Sequence, residues 1–73
     1  MDATRSLTLR EMEVLSLLSR GCSYKKTALL LGISAHTVAA HIKNTYRKLD
    51  VHSAPAAVMR AVELHLLSSG TPQ

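Results

Sequence analysis

The stretch Leu31-Gly32-Ile33-Ser34-Ala35-His36-Thr37-Val38 decides how this chain folds. Gly32 stops one helix, because glycine enters left-handed backbone without a side-chain penalty. Ile33 follows as an apolar plug. Ser34 then caps a new helix, since its hydroxyl can accept one of the backbone N–H groups that a helix start leaves unpaired. Two helices joined this closely must cross at a steep angle, with one supporting the other, which is the helix-turn-helix arrangement.

Working upstream, Ser23 is the N-cap of the first helix of that pair, which runs through Tyr24, Ala28 and Leu31 over residues 24–31. Lys26 stands at its third position, where Glu or Gln would complete a capping box. Before it, Thr8 and Glu11 do have capping-box spacing, and Leu7 with Met12 can form a hydrophobic staple. Val14, Leu15 and Leu18 continue one apolar face, and Gly21 ends a helix expected over about 9–20. Downstream of the turn, Val38, Ile42, Tyr46 and Leu49 share the core face of a helix over about 35–49. Asp50 ends it, Val51 tucks back, and Ser53 caps a fourth helix over about 54–67 that tolerates Pro55 in its first turn. The expectation is an all-α, four-helix helix-turn-helix domain over residues 7–67, between flexible segments at 1–6 and 68–73.

Composition agrees with this reading. Seventy-three residues allow one small domain, with no room for a substrate pocket of enzyme size beside the core. Apolar residues make up 47% of the chain, yet Phe and Trp are absent, so the supply is Leu, Ala, Val and Ile, and Ala and Leu favour helix. No apolar run approaches the roughly 20 residues that a membrane span needs. The first six residues lack the apolar stretch of a secretory signal, and the lone Cys22 excludes an internal disulfide. A cytoplasmic protein without a membrane partner is expected.

Charge is informative through its placement. The net charge is +4, and no Asp or Glu occurs between Glu13 and Asp50, a stretch that holds Arg20, Lys25, Lys26, Lys43, Arg47 and Lys48. Such a middle suits either a solvated basic surface or a face for a polyanion. The third helix narrows the choice. Opposite its core stripe lie His36, Ala40, Lys43, Asn44 and Arg47, with Thr37, His41 and Lys48 along one flank. Lys, Arg and Asn reach base edges in a major groove, whereas flanking Thr, His and Lys suit phosphate. A merely solvated helix face would also be polar; the tight turn and capped second helix favour the DNA reading. The fourth helix carries more apolar residues than one core face needs. Ala57, Ala61 and Leu64 suffice for the core, leaving Val58, Val62 and Leu66 for a partner surface or for packing on the first helix.

Other chemistries find little support. His36 and His41 do not share a helix face, and His52 and His65 lack an obvious third ligand. Ser34 is explained by capping, and no acid lies nearby to orient His36 for nucleophilic catalysis. The three glycines are scattered, so no phosphate-binding loop forms. No enzyme activity, metal or cofactor is expected.

Leu7-Thr8-Leu9-Arg10-Glu11-Met12-Glu13-Val14-Leu15 resembles the opening of the LuxR-type (LuxR/FixJ, GerE-like) helix-turn-helix domain. The stretch Leu31 to Val38 and the segment His41-Ile42-Lys43-Asn44 resemble its turn and recognition helix. Arg47-Lys48-Leu49-Asp50-Val51 resembles the lead into its fourth helix. The opening segment alone also resembles region four of sigma factors, which the match from His41 to Val51 and the apolar fourth helix disfavour.

The resemblance implies a bacterial transcription regulator, either the output domain of a response regulator or free-standing. It implies double-stranded DNA as partner, a homodimer through helix four (Val58, Val62, Leu66), and RNA polymerase as a further candidate partner. Residues matching family DNA contacts are Lys43, with Asn44, Arg47 and the positions of Ala39 and Ala40, towards bases. Ser34, Thr37, His41 and Lys48 fall towards phosphate. The chain departs from the pattern where Ala39 and Ala40 replace longer side chains and where Lys26-Thr27 replaces Glu-Ile. It departs also at Ala54, where Arg is frequent, and at Asp50, where Gly is frequent. Lys26 opposes the helix dipole, which points to a phosphate contact. The two alanines motivate a rival expectation, a protein-interaction module that keeps the fold and has lost base readout.

Overall fold

The structure is a computed structural model, and it describes residues 7–64. Its elements are α1 (Leu9–Ser19), α2 (Tyr24–Leu31), α3 (Ala35–Leu49) and α4 (Ala54–Glu63), with no strand among the described residues. Each of the four starts is capped by the side chain that the sequence nominates. Thr8 Oγ1 accepts from Glu11 N at 3.0 Å while Glu11 Oε1 accepts from Thr8 N at 2.9 Å, a complete capping box. Ser23, Ser34 and Ser53 accept from Lys26 N, Thr37 N and Ala56 N. Such caps are each worth about 1 kcal/mol, which matters for helices as short as the eight residues of α2.

α2 and α3 end on left-handed residues. Gly32 has φ 69° and gives the sharp exit that lets Ile33 N reach Ala28 O at 3.0 Å. α3 ends in the same conformation, but on Asp50 with φ 58°. There Val51 N bonds Tyr46 O and Asp50 N bonds Arg47 O, the paired bonds of a Schellman-type stop. α1 closes at Ser19, with Arg20 as its cap, one residue short of expectation. α4 is described to Glu63 with Leu64 as its cap; its expected continuation to about Leu67 lies outside the described residues, as do the segments 1–6 and 68–73.

α3 is the hub of the core. Val38 and Ile42 join Val14 and Ala28 in one buried cluster, against which Leu18, Leu31 and Ile33 pack. Leu49 joins Leu15, Ala57 and Ala61 in a second, backed by Leu7, Val51, Val58 and Leu64. Tyr46 touches both clusters and stitches them together along the helix. Fully burying a Leu or Val side chain contributes about 1.5–3 kcal/mol, so Leu15, Leu49, Val14 and Val38, each at most 1% exposed, fix where α3 sits. With that side anchored, its other side must face outward.

Candidate nucleic-acid interface

The outward side of α3 is the one expected. His36, Ala40, Lys43, Asn44 and Arg47 are all exposed, and Thr37, Ala39, His41 and Lys48 are half-buried along its margins. Among the described residues, Lys43, Arg47, Lys25 and Lys26 form no ion pair, so their charges remain directed at solvent. The fifteen residues of α3 span about 22 Å at 1.5 Å per residue, long enough to lie across a major groove about 12 Å wide.

The start of α3 is free of acidic side chains, so the positive end of the helix dipole is not cancelled locally. The Ser34 and Thr37 hydroxyls lie 2.9 Å apart and the Ser34 oxygen also receives Thr37 N. Ser34 is thus occupied by capping. Lys26, exposed on the first turn of α2, adds a cation on the supporting helix.

Lys48 is placed differently from the other cations. Its ammonium donates to Glu11 Oε1 at 2.8 Å, and the Glu11 side chain is only 4% exposed. Burial pushes the Glu11 carboxyl up, but the Lys48 hydrogen bond, the Thr8 backbone N–H, the Lys48 charge and the Thr8 hydroxyl together pull it below its ordinary value of 4.5. The expected phosphate contact is therefore engaged within the fold, tying the start of α1 to the end of α3. Spacing could not reveal this pair, because its partners stand 37 residues apart and Glu11 is already accounted for by its cap.

Two threonines are enclosed by the core. Thr27 and Thr45 are 0% exposed. Thr45 donates its hydroxyl to His41 O at 2.8 Å, whereas Thr27 Oγ1 has no partner among the described residues. On α4, Val58 is half-buried and packs on the cluster containing Leu15, so it serves the core as well as the outer arc. Val62 is half-buried and Met59 is 66% exposed beside it, while Leu66 lies outside the described residues. Tyr46 has its hydroxyl pushed above its ordinary range, first by burial and then by the neighbouring Tyr24 phenol. Among the described residues no three His, Cys, Asp or Glu lie close enough to hold a metal ion, and no helix is long and apolar enough to cross a membrane.

A capped helix pair joined by the three-residue turn Gly32-Ile33-Ser34, with a basic outer face on the second helix, defines a helix-turn-helix domain of the DNA-binding class. The family described as bacterial regulatory proteins, luxR family, matches residues 5–61, and the chain belongs to that family. It is 49% identical over 63 residues to the transcriptional activator protein CarR of Pectobacterium carotovorum subsp. carotovorum, covering 86% of this chain and 26% of CarR. It is also 49% identical over 58 residues to the nitrate/nitrite response regulator protein NarP of Escherichia coli, covering 80% of this chain and 27% of NarP. The chain thus spans about a quarter of the length of these relatives. A solved structure of the transcription factor GerE superposes with a TM-score of 0.82 at 42% identity, over 85% of this chain and 92% of that one. The relatives are transcriptional regulators, and this chain is a DNA-binding domain of the kind that family carries.

Proposed function

We propose that this domain recognises a specific double-stranded DNA site for a bacterial transcription regulator acting in the cytoplasm, with α3 in the major groove. The observation that carries this reading is the exposed, acid-free face of α3, held outward by the burial of its opposite side. Lys43, Asn44 and Arg47 reach base edges, while Ala39 and Ala40 let the helix come close; Ala40, exposed mid-helix, suits a thymine methyl. Thr37, His41 and Lys26 take phosphates beside the Ser34-capped helix start. Lys48 acts chiefly by holding α3 in place through Glu11. A second copy of the domain docks along the outer arc of α4, through Val62, Leu66 and the exposed side of Val58, so that two recognition helices meet two half-sites.

Selection from a randomised duplex pool at two salt concentrations tests this. Enrichment of a motif with steep salt dependence is the expected result. Retention without enrichment would reduce α3 to a non-specific basic face. No retention at low salt would favour the protein-interaction module, for which the short side chains of Ala39 and Ala40 are the supporting observation. Within the selected motif, Lys43→Ala is expected to cost about 1–3 kcal/mol and to relax preference at one base pair.

A further inference from the structure

The basic face of α3 does not stop at the helix end. Lys43, Tyr46, Arg47, Asp50, Val51 and His52 line one shallow, open depression where α3 turns towards α4. Asp50 is the first acidic residue after Glu13, and it is exposed. It occupies a left-handed position, φ 58°, that glycine would fill with less strain. Its carboxylate forms no ion pair or side-chain hydrogen bond with any described residue, although it shares the depression with Lys43 and Arg47. Asp50 stops α3 through its backbone, and its carboxylate takes no part in that stop or in any pairing with the described residues.

We propose that Asp50 is a specificity-determining residue. A phosphate lodged between Lys43 and Arg47 would meet its negative charge, which weakens complexes held by backbone contacts alone. In the cognate groove the same carboxylate can accept from an exocyclic amine, that of cytosine or adenine, and the repulsion is offset by a hydrogen bond. Asp50 therefore widens the gap between specific and non-specific binding without raising affinity itself. The inference rests on the DNA-binding reading above and adds to it a discriminating residue outside the helix proper.

Asp50→Asn removes the charge in a side chain that tolerates left-handed backbone, and Asp50→Gly removes it while easing that backbone, so both variants should stay folded. Affinities of the parent and both variants are measured for the selected duplex and for random duplex across a salt series, with Lys43→Ala alongside. Both Asp50 variants are expected to bind random duplex about threefold or more tightly, with a salt slope steeper by up to about 0.9 for a newly engaged phosphate. Their ratio of selected to random affinity falls. An unchanged ratio overturns the proposal, whether because nothing moves or because both duplexes gain equally. In that case a parent that still selects its motif, and a Lys43→Ala variant that loses it, leave the DNA-binding reading standing. A parent that binds no duplex at low salt overturns both.

Discussion

At the scale of single residues, the two buried threonines give opposite expectations from the same side chain. Thr27 Oγ1 is enclosed without a partner among the described residues, and leaving a buried hydroxyl unsatisfied costs about 1–3 kcal/mol. Thr27→Val keeps the shape and removes the penalty, so it should stabilise the domain by about 1 kcal/mol, seen as a rise of roughly 4–8 °C in Tm. Thr45 bonds His41 O within its own helix. Thr45→Val forfeits that bond, worth about 0.5–1.5 kcal/mol, and leaves a carbonyl that already serves the helix. Thermal unfolding should rank the three proteins Thr27→Val, parent, Thr45→Val. A lowered Tm for Thr27→Val would mean that its hydroxyl is hydrogen-bonded in solution. Burial of this kind is not spelled out in the sequence, where Thr45 belongs to no motif and Thr27 stands out only as the replacement of the family's Ile. The exposed set on α3 was legible, because a core stripe at Val38, Ile42, Tyr46 and Leu49 dictates which side chains are left outside.

At the scale of elements, each helix begins where a Thr or Ser precedes an apolar-periodic run, and that is why the four starts could be placed from sequence alone. Contacts between elements were beyond such reasoning. The tie from α1 to the end of α3 is the main example, since Glu11 and Lys48 meet only once the helices have packed. Glu11→Gln exchanges the buried charged partner of the partly exposed Lys48 ammonium for a neutral one and should cost about 1–3 kcal/mol. Because folding lowers the Glu11 pKa, its contribution is complete above the ordinary value of 4.5 and is lost as pH falls through the lowered folded value. Urea unfolding of the parent should therefore show stability falling below about pH 4.5, with a weaker fall in Glu11→Gln. A parallel pH dependence in both proteins would remove Glu11 as the source. Lys48→Met should likewise lower stability, and a double-mutant cycle with Glu11→Gln should return a coupling clearly above the 0.2–1 kcal/mol typical of exposed pairs.

At the scale of the whole molecule, the packing of α3 sends two different surfaces in two directions. One is the basic outer face of α3; the other is the outer arc of α4, where Met59 is open and Val62 half-buried. Core and arc compete for the same helix, because Ala57 and Ala61 sit at 0% exposure with Val58 packed beside them. A substitution that tests dimerisation must avoid that inner side. Val58→Asp would place a charge against the Leu15 cluster and unfold the domain, whereas Met59→Asp changes only the surface. Val62→Asp lies between them and is expected to disrupt pairing, since a charge buried without a partner in an apolar interface is costly. Sedimentation of the domain on a two-half-site duplex should give two copies per duplex for the parent and one for Val62→Asp, with Met59→Asp weakened in the same sense. Binding to an isolated half-site should stay unchanged in both variants, because neither side chain lies on α3. Two copies retained by Val62→Asp would take α4 out of the interface and assign the pairing of recognition helices to the DNA spacing alone.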